Sequence, residues 1–107
     1  MPSPYSLILT TCGAKEEAER IASRLVEQRL AGCVQIFAVD SVYRWEGAVE
    51  RAKEWMLFCK IKASDFGAVE AAIREAHSYA TPEIIAIEIE TGAKAYLAWL
   101  EAATHRG

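Results

Sequence analysis

Three observations predict an α+β fold with the element order β-α-β-β-α-β and a closing helix. Short apolar, β-rich runs alternate with segments of helical period; the two longest strand-like runs meet at a Glu-Gly pair; no linker, repeat or low-complexity stretch interrupts the 107 residues. A single domain spanning residues 1–107 is expected, because a chain of this length supports one core and little more.

Residues 5–11, Tyr-Ser-Leu-Ile-Leu-Thr-Thr, make the first strand, and Cys12-Gly13 breaks it. From Ala14 to Ala31 the positions Ala18, Ile21, Ala22, Leu25, Val26 and Leu30 fall on one helical stripe, while Glu16, Glu17, Arg20, Arg24, Glu27 and Gln28 fall elsewhere. Gly32 is expected to stop this helix. Residues 33–45 and 49–62 predict two long strands joined around Glu46-Gly47, a pair that tolerates the positive φ angles of a tight hairpin. Ser64 is the expected N-cap of a second helix, with the stripe Phe66, Val69, Ile73 and Ala76. Beyond Pro82, residues 83–90 alternate Ile85, Ile87 and Ile89 on one face, and residues 94–103 form a last short helix with Tyr96, Leu97, Trp99 and Leu100. This order is the split βαβ pattern of a ferredoxin-like sandwich, here with a long central hairpin and a C-terminal helix.

Two crossover helices cover one face of such a sheet. Both faces of the hairpin are apolar, however: Trp55, Leu57, Cys59 and Ile61 alternate with Met56 and Phe58, and Val34, Ile36 and Ala38 with Phe37 and Val39. An uncovered apolar sheet face associates, so an obligate oligomer is expected, the hairpin packing on neighbouring copies.

Charge narrows the partners. Twelve basic residues are spread among fifteen acidic ones, with a net charge of −3 and no basic run, so neither nucleic acid nor a membrane is expected as a partner. The start, Met1-Pro2-Ser3-Pro4, has no basic segment, and Leu7-Ile8-Leu9 is too short for a signal core, which places the chain in the cytoplasm. The three cysteines are widely spaced and odd in number, so no disulfide framework is expected. Cys59 alternates with Leu57 and Ile61 as a buried residue, whereas Cys12 and Cys33 end elements and are more open to chemistry.

Two groups carry candidate chemistry. His77 and Tyr79, followed by Glu83, bring an imidazole, a phenol and a carboxylate to one loop, a donor set suited to Cu(II) or Zn(II); a histidine at a helix end also serves as a favourable charge at the negative pole of the helix dipole. Cys33 and Gln35 precede the block Tyr43-Arg44-Trp45-Glu46, where the aromatics fit a subunit interface and the two charges a solvated ion pair worth about 1 kcal/mol at most. Met56 is read as core filler and His105 as a solvated tail residue. A Cys33 nucleophile with His77 as its base would need the two within hydrogen-bond reach, and no enzyme is expected.

Leu9-Thr10-Thr11-Cys12, Leu30-Ala31-Gly32-Cys33-Val34, Ser41-Val42-Tyr43-Arg44-Trp45-Glu46-Gly47, His77-Ser78-Tyr79-Ala80-Thr81-Pro82-Glu83-Ile84 and Tyr96-Leu97-Ala98-Trp99-Leu100 together resemble the CutA divalent-cation-tolerance family over nearly the whole chain. The resemblance implies a ferredoxin-like homotrimer with intersubunit clefts and binding of a divalent cation, copper especially. It implies that Cys33, Trp45, His77, Tyr79 and Glu83 line the cleft. Among the candidate metal ligands His77 leads, with Cys33, Glu83 and Cys12 as helpers, and Tyr43 is placed beside Trp45 at the cleft as a second aromatic anchor. A ligand-sensing or scaffold trimer, by analogy with the PII signalling proteins, is the alternative. The chain departs from the family pattern at Gly13 and Ser78, where proline is usual, and at Gln35, where asparagine is frequent. It also carries Thr10 and Ala76 where some copper-binding members place a Cys and a second His.

Overall fold

The computed structural model describes residues 2–107. It runs β1 (Tyr5–Cys12), α1 (Lys15–Glu27), β2 (Cys33–Trp45), β3 (Ala48–Lys62), a 3-10 turn (Ala63–Asp65), α2 (Phe66–Ala76), β4 (Ile85–Glu88) and α3 (Lys94–Ala103). The four strands form one antiparallel sheet in the order β2-β3-β1-β4, the arrangement that the split βαβ pattern produces.

One sheet face carries the core. Ile8 of β1 and Leu57, Cys59 and Ile61 of β3 are fully buried against Ile21 and Leu25 of α1 and Val69 and Ile73 of α2. Each such aliphatic side chain contributes about 1.5–3 kcal/mol by leaving water. Directly opposed pairs share a face, so Ile8, Cys59 and Val34 lie in one row and Thr10, Leu57 and Ile36 in the next.

Helix α1 ends differently from the expectation. The left-handed residue is Arg29, at φ 59°, and the Leu30 and Arg29 amides donate to the Leu25 and Val26 carbonyls, closing a Schellman motif with Leu30 and Leu25 both buried. Gly32 has another role: a Cβ there would stand 2.6 Å from Cδ1 of Leu100, so the missing side chain lets α3 approach. Ser64 is no N-cap either, because the 3-10 turn intervenes and α2 starts at Phe66. The hairpin turn is as expected, with Trp45 paired to Ala48 and positive φ at both Glu46 (48°) and Gly47 (81°).

The opposite sheet face is covered at one end by α3. Tyr5, Lys60 and Lys62 meet it there: Lys62 Nζ is 2.9 Å from Glu101, the Tyr5 hydroxyl is 3.2 Å from Glu101, and the Lys60 ammonium lies over the Tyr96 ring. Towards the other end Phe37, Ile85 and Ile87 stay exposed, with Phe37 edge-on to Phe58 at 5.0 Å. β4 is shorter than the alternation of residues 83–90 suggests, ending at Glu88. The C-terminal segment is tied down, with Thr104 fully buried and Arg106 forked onto both Asp65 carboxylate oxygens at 2.8 and 3.0 Å. Among the described residues no helix is long and apolar enough to cross a membrane.

Candidate metal centre and cleft

Three elements converge where β1 ends. Cys12 is the last residue of β1 and fully buried, Glu17 lies in the first turn of α1, and His77 follows α2 as its C-cap. Their ligand atoms all lie within 4.8 Å of one another. The His77 ring is fully buried, so it is not a solvated helix-end charge. Its Nε2 is 2.7 Å from the carbonyl oxygen of Thr11, and the Tyr79 amide is 3.1 Å from Nδ1. A carbonyl only accepts and an amide only donates, so Nε2 carries the proton and Nδ1 the lone pair. Cys12 Sγ lies 3.7 Å from Nε2 and Glu17 Oε2 lies 3.6 Å from Nδ1, the latter also accepting from the Ser78 hydroxyl at 3.2 Å. Burial, then the Glu17 charge, pushes the Cys12 thiol up to about 12.

The loop after His77 leads into a cleft of about 670 Å³ formed with the hairpin. Tyr43, Trp45, Tyr79 and Glu83, gathered from distant sequence, line it together with Thr11 and Glu54. The Tyr79 hydroxyl donates to Glu54 Oε2 at 2.9 Å, and burial with that contact pushes the phenol up to about 12. Burial, then the Glu54 charge, raises the Glu83 carboxyl. Gly13 makes room for this loop, since a Cβ there would stand 3.0 Å from the Tyr79 hydroxyl.

The candidate ligands therefore separate within the chain. Cys12 and His77 meet; Glu83 faces the cleft instead. Cys33 pairs with Lys60 while Cys12 pairs with Trp55, five residues away along β3, or roughly 17 Å at strand spacing. Cys33 thus joins neither the buried cluster nor His77. Cys12, expected to be open to chemistry, is as buried as Cys59. Arg44 and Glu46 form no ion pair among the described residues; the hairpin's pair is Asp40 with Lys53 at 3.0 Å.

Sequence reasoning missed Glu17 and Glu54. Glu17 precedes Ile21 by one helical turn and so shares its inward face, a spacing visible in the sequence. Glu54 is two residues before Met56 and four before Phe58, a carboxylate in register with an apolar strand face, which marks it for a partner.

Fold and cluster together define a ferredoxin-like α+β protein with a buried thiol, carboxylate and imidazole beside an aromatic cleft. The family model described as CutA1 divalent ion tolerance protein matches residues 6–103, and the chain belongs to this family. It is similar to the divalent-cation tolerance protein CutA of Archaeoglobus fulgidus, at 43% identity over 97 residues, 91% of this chain and 95% of that relative. The CutA of Thermus thermophilus is 39% identical over 95 residues, 88% of this chain and 92% of that one. The solved structure of the Archaeoglobus fulgidus protein, described as a periplasmic divalent cation tolerance protein, superposes with a TM-score of 0.93 at 42% identity, covering 94% of this chain and 99% of its own.

Proposed function

We propose that this protein is a cytoplasmic homotrimer of divalent-cation tolerance that binds a divalent cation, copper foremost, at Cys12, Glu17 and His77 beside an intersubunit cleft. The observation that carries the reading is the convergence of three ligand atoms within 4.8 Å at the end of β1. Thiolate, imidazole and carboxylate together suit copper or zinc better than a hard cation such as Mg²⁺. A bound cation would supply the positive charge that lets the Cys12 thiol ionise in a buried place. One His77 hydrogen bond, to Thr11 or from Tyr79, would be given up in exchange, which ties occupancy to the Tyr79 loop.

The exposed Phe37, Ile85 and Ile87 on the second sheet face favour self-association, and the trimer is the state that the family resemblance implies. The three cysteines are all free, as in a reducing compartment, which favours the cytoplasm for this chain even though the Archaeoglobus fulgidus relative is described as periplasmic. A catalytic role is disfavoured because Cys33 and His77 are far apart and the Cys12 thiol is held protonated.

Co²⁺ titration tests the metal reading through the thiolate-to-metal absorption. The band should grow to saturation in the wild type and vanish in Cys12→Ser. A band that persists in Cys12→Ser and vanishes in Cys33→Ser would move the site to the other end of the sheet.

A further inference from the structure

We propose that the cleft between the hairpin and the Tyr79 loop binds a small organic cation through its primary ammonium group, with Glu54, Glu83 and Thr11 accepting from the ammonium and the rings of Tyr43 and Trp45 covering its alkyl part. This goes beyond metal binding and requires neither Cys12 nor His77 as a ligand. Three observations carry it. The first is charge: Asp40 at the rim is neutralised by Lys53, but Glu54 and Glu83 have no basic partner, and no Lys, Arg or His lines the cleft among the described residues. Burial, then the Glu54 charge, raises the Glu83 carboxyl, and a positive charge added beside it would offset both causes.

The second observation is Thr11. It is only 6% exposed, it lines the cleft, and its hydroxyl is without a hydrogen-bond partner among the described residues. Unlike the fully enclosed Thr10 hydroxyl, the Thr11 hydroxyl keeps an open side, and that side is the cleft. The Tyr79 hydroxyl, by contrast, is already spent on Glu54. Acceptors therefore outnumber donors, which is the complement of an N–H-bearing cation with three donors.

The third is the aromatic wall. Tyr43 and Trp45, on the strand that enters the hairpin turn, line the cleft and offer both apolar area and π faces, which attract an ammonium and its adjoining methylenes. An inorganic dication gains from the carboxylates but leaves this wall unused, so the rings favour the organic cation.

The test uses the full chain and n-butylammonium chloride, followed by ¹H–¹⁵N shifts and calorimetry at neutral pH, with Mg²⁺ and tetramethylammonium as comparison probes. Saturable butylammonium binding with shifts confined to Tyr43, Trp45, Tyr79 and Glu83 is expected, weakened at least about tenfold by Glu83→Gln and measurably by Thr11→Val. Glu54→Gln keeps an acceptor for Tyr79 and should weaken binding without unfolding the loop. No saturable binding, or binding unchanged in both Glu83→Gln and Glu54→Gln, overturns the proposal; Mg²⁺ producing the same shifts while butylammonium produces none would assign the cleft to a metal. Tetramethylammonium matching butylammonium would overturn the hydrogen-bonding part. Copper titrated without amine scores the metal reading separately, so either can fail alone.

Discussion

Nε2 of His77 stands 2.7 Å from the carbonyl oxygen of Thr11, and this contact fixes how the end of β1, the end of α2 and the Tyr79 loop are joined. With the proton on Nε2, Nδ1 is free to accept the Tyr79 amide, whose hydroxyl in turn reaches Glu54 across the cleft. One buried imidazole thus holds the loop that shapes the cleft wall. His77→Ala should leave the Thr11 carbonyl and the Tyr79 amide without partners and cost about 2 kcal/mol or more. Denaturant unfolding measures this; a midpoint equal to the wild type would show that the imidazole does not hold the loop.

Thr10 supplies a change of opposite sign. Its side chain is fully buried beside Leu57 on the core face, and its hydroxyl oxygen has no hydrogen-bond partner among the described residues. Thr10→Val keeps the shape and removes the unmet group, so stability should rise by about 1 kcal/mol. A thermal melt that moves down instead would place an unseen partner, such as an ordered water, at that hydroxyl.

Two glycines should respond in opposite directions to the same substitution. Gly32→Ala drives a methyl to 2.6 Å from the fully buried Leu100, with Ala103 and Trp99 behind it, and should cost about 1–3 kcal/mol by displacing α3. Gly67, in α2, has open space around it and should gain up to about 1 kcal/mol on becoming Ala. Parallel melts of the two variants check the contrast. Equal shifts would remove the close-packing account of Gly32.

Alkaline stability should report the buried thiol of Cys59. Burial pushes it from an ordinary 9.0 up to about 12, so between those values the unfolded chain has released a proton that the native chain keeps. Its contribution is full below about pH 9 and is lost as pH rises towards 12. Melting temperatures should therefore fall between pH 8 and pH 10 by about 5 °C or more, and less steeply in Cys59→Ala. Identical slopes in the two proteins would mean that Cys59 is already accessible to solvent.

The sequence carried the architecture because its signals are local. The helical stripe through Ile21 and Leu25, the alternation through Leu57, Cys59 and Ile61, and the Glu46-Gly47 turn each act within a few residues, and each is present in the fold. Gly32 was misread because a glycine after a helix has two uses, positive φ and close approach, and only the position of α3 decides between them. The site was half legible. Cys12 and His77 are 65 residues apart, and which side chains meet depends on how α1 and α2 dock on the sheet. Cys33 has the same chemistry as Cys12, and strand register alone puts it at the far end.

The central claim, a divalent cation held at Cys12, Glu17 and His77, is tested most directly by calorimetric titration of the wild type, His77→Ala and His105→Ala with Cu²⁺. His105 is the chain's other imidazole and lies exposed near the C-terminus, so it controls for tail binding. The account predicts that His77→Ala weakens copper binding by roughly tenfold or more while His105→Ala leaves it unchanged, and that wild-type affinity falls as the solution is acidified, because a protonated imidazole has no lone pair to donate. Copper binding that survives His77→Ala and disappears with His105→Ala would contradict it, moving the metal to the tail.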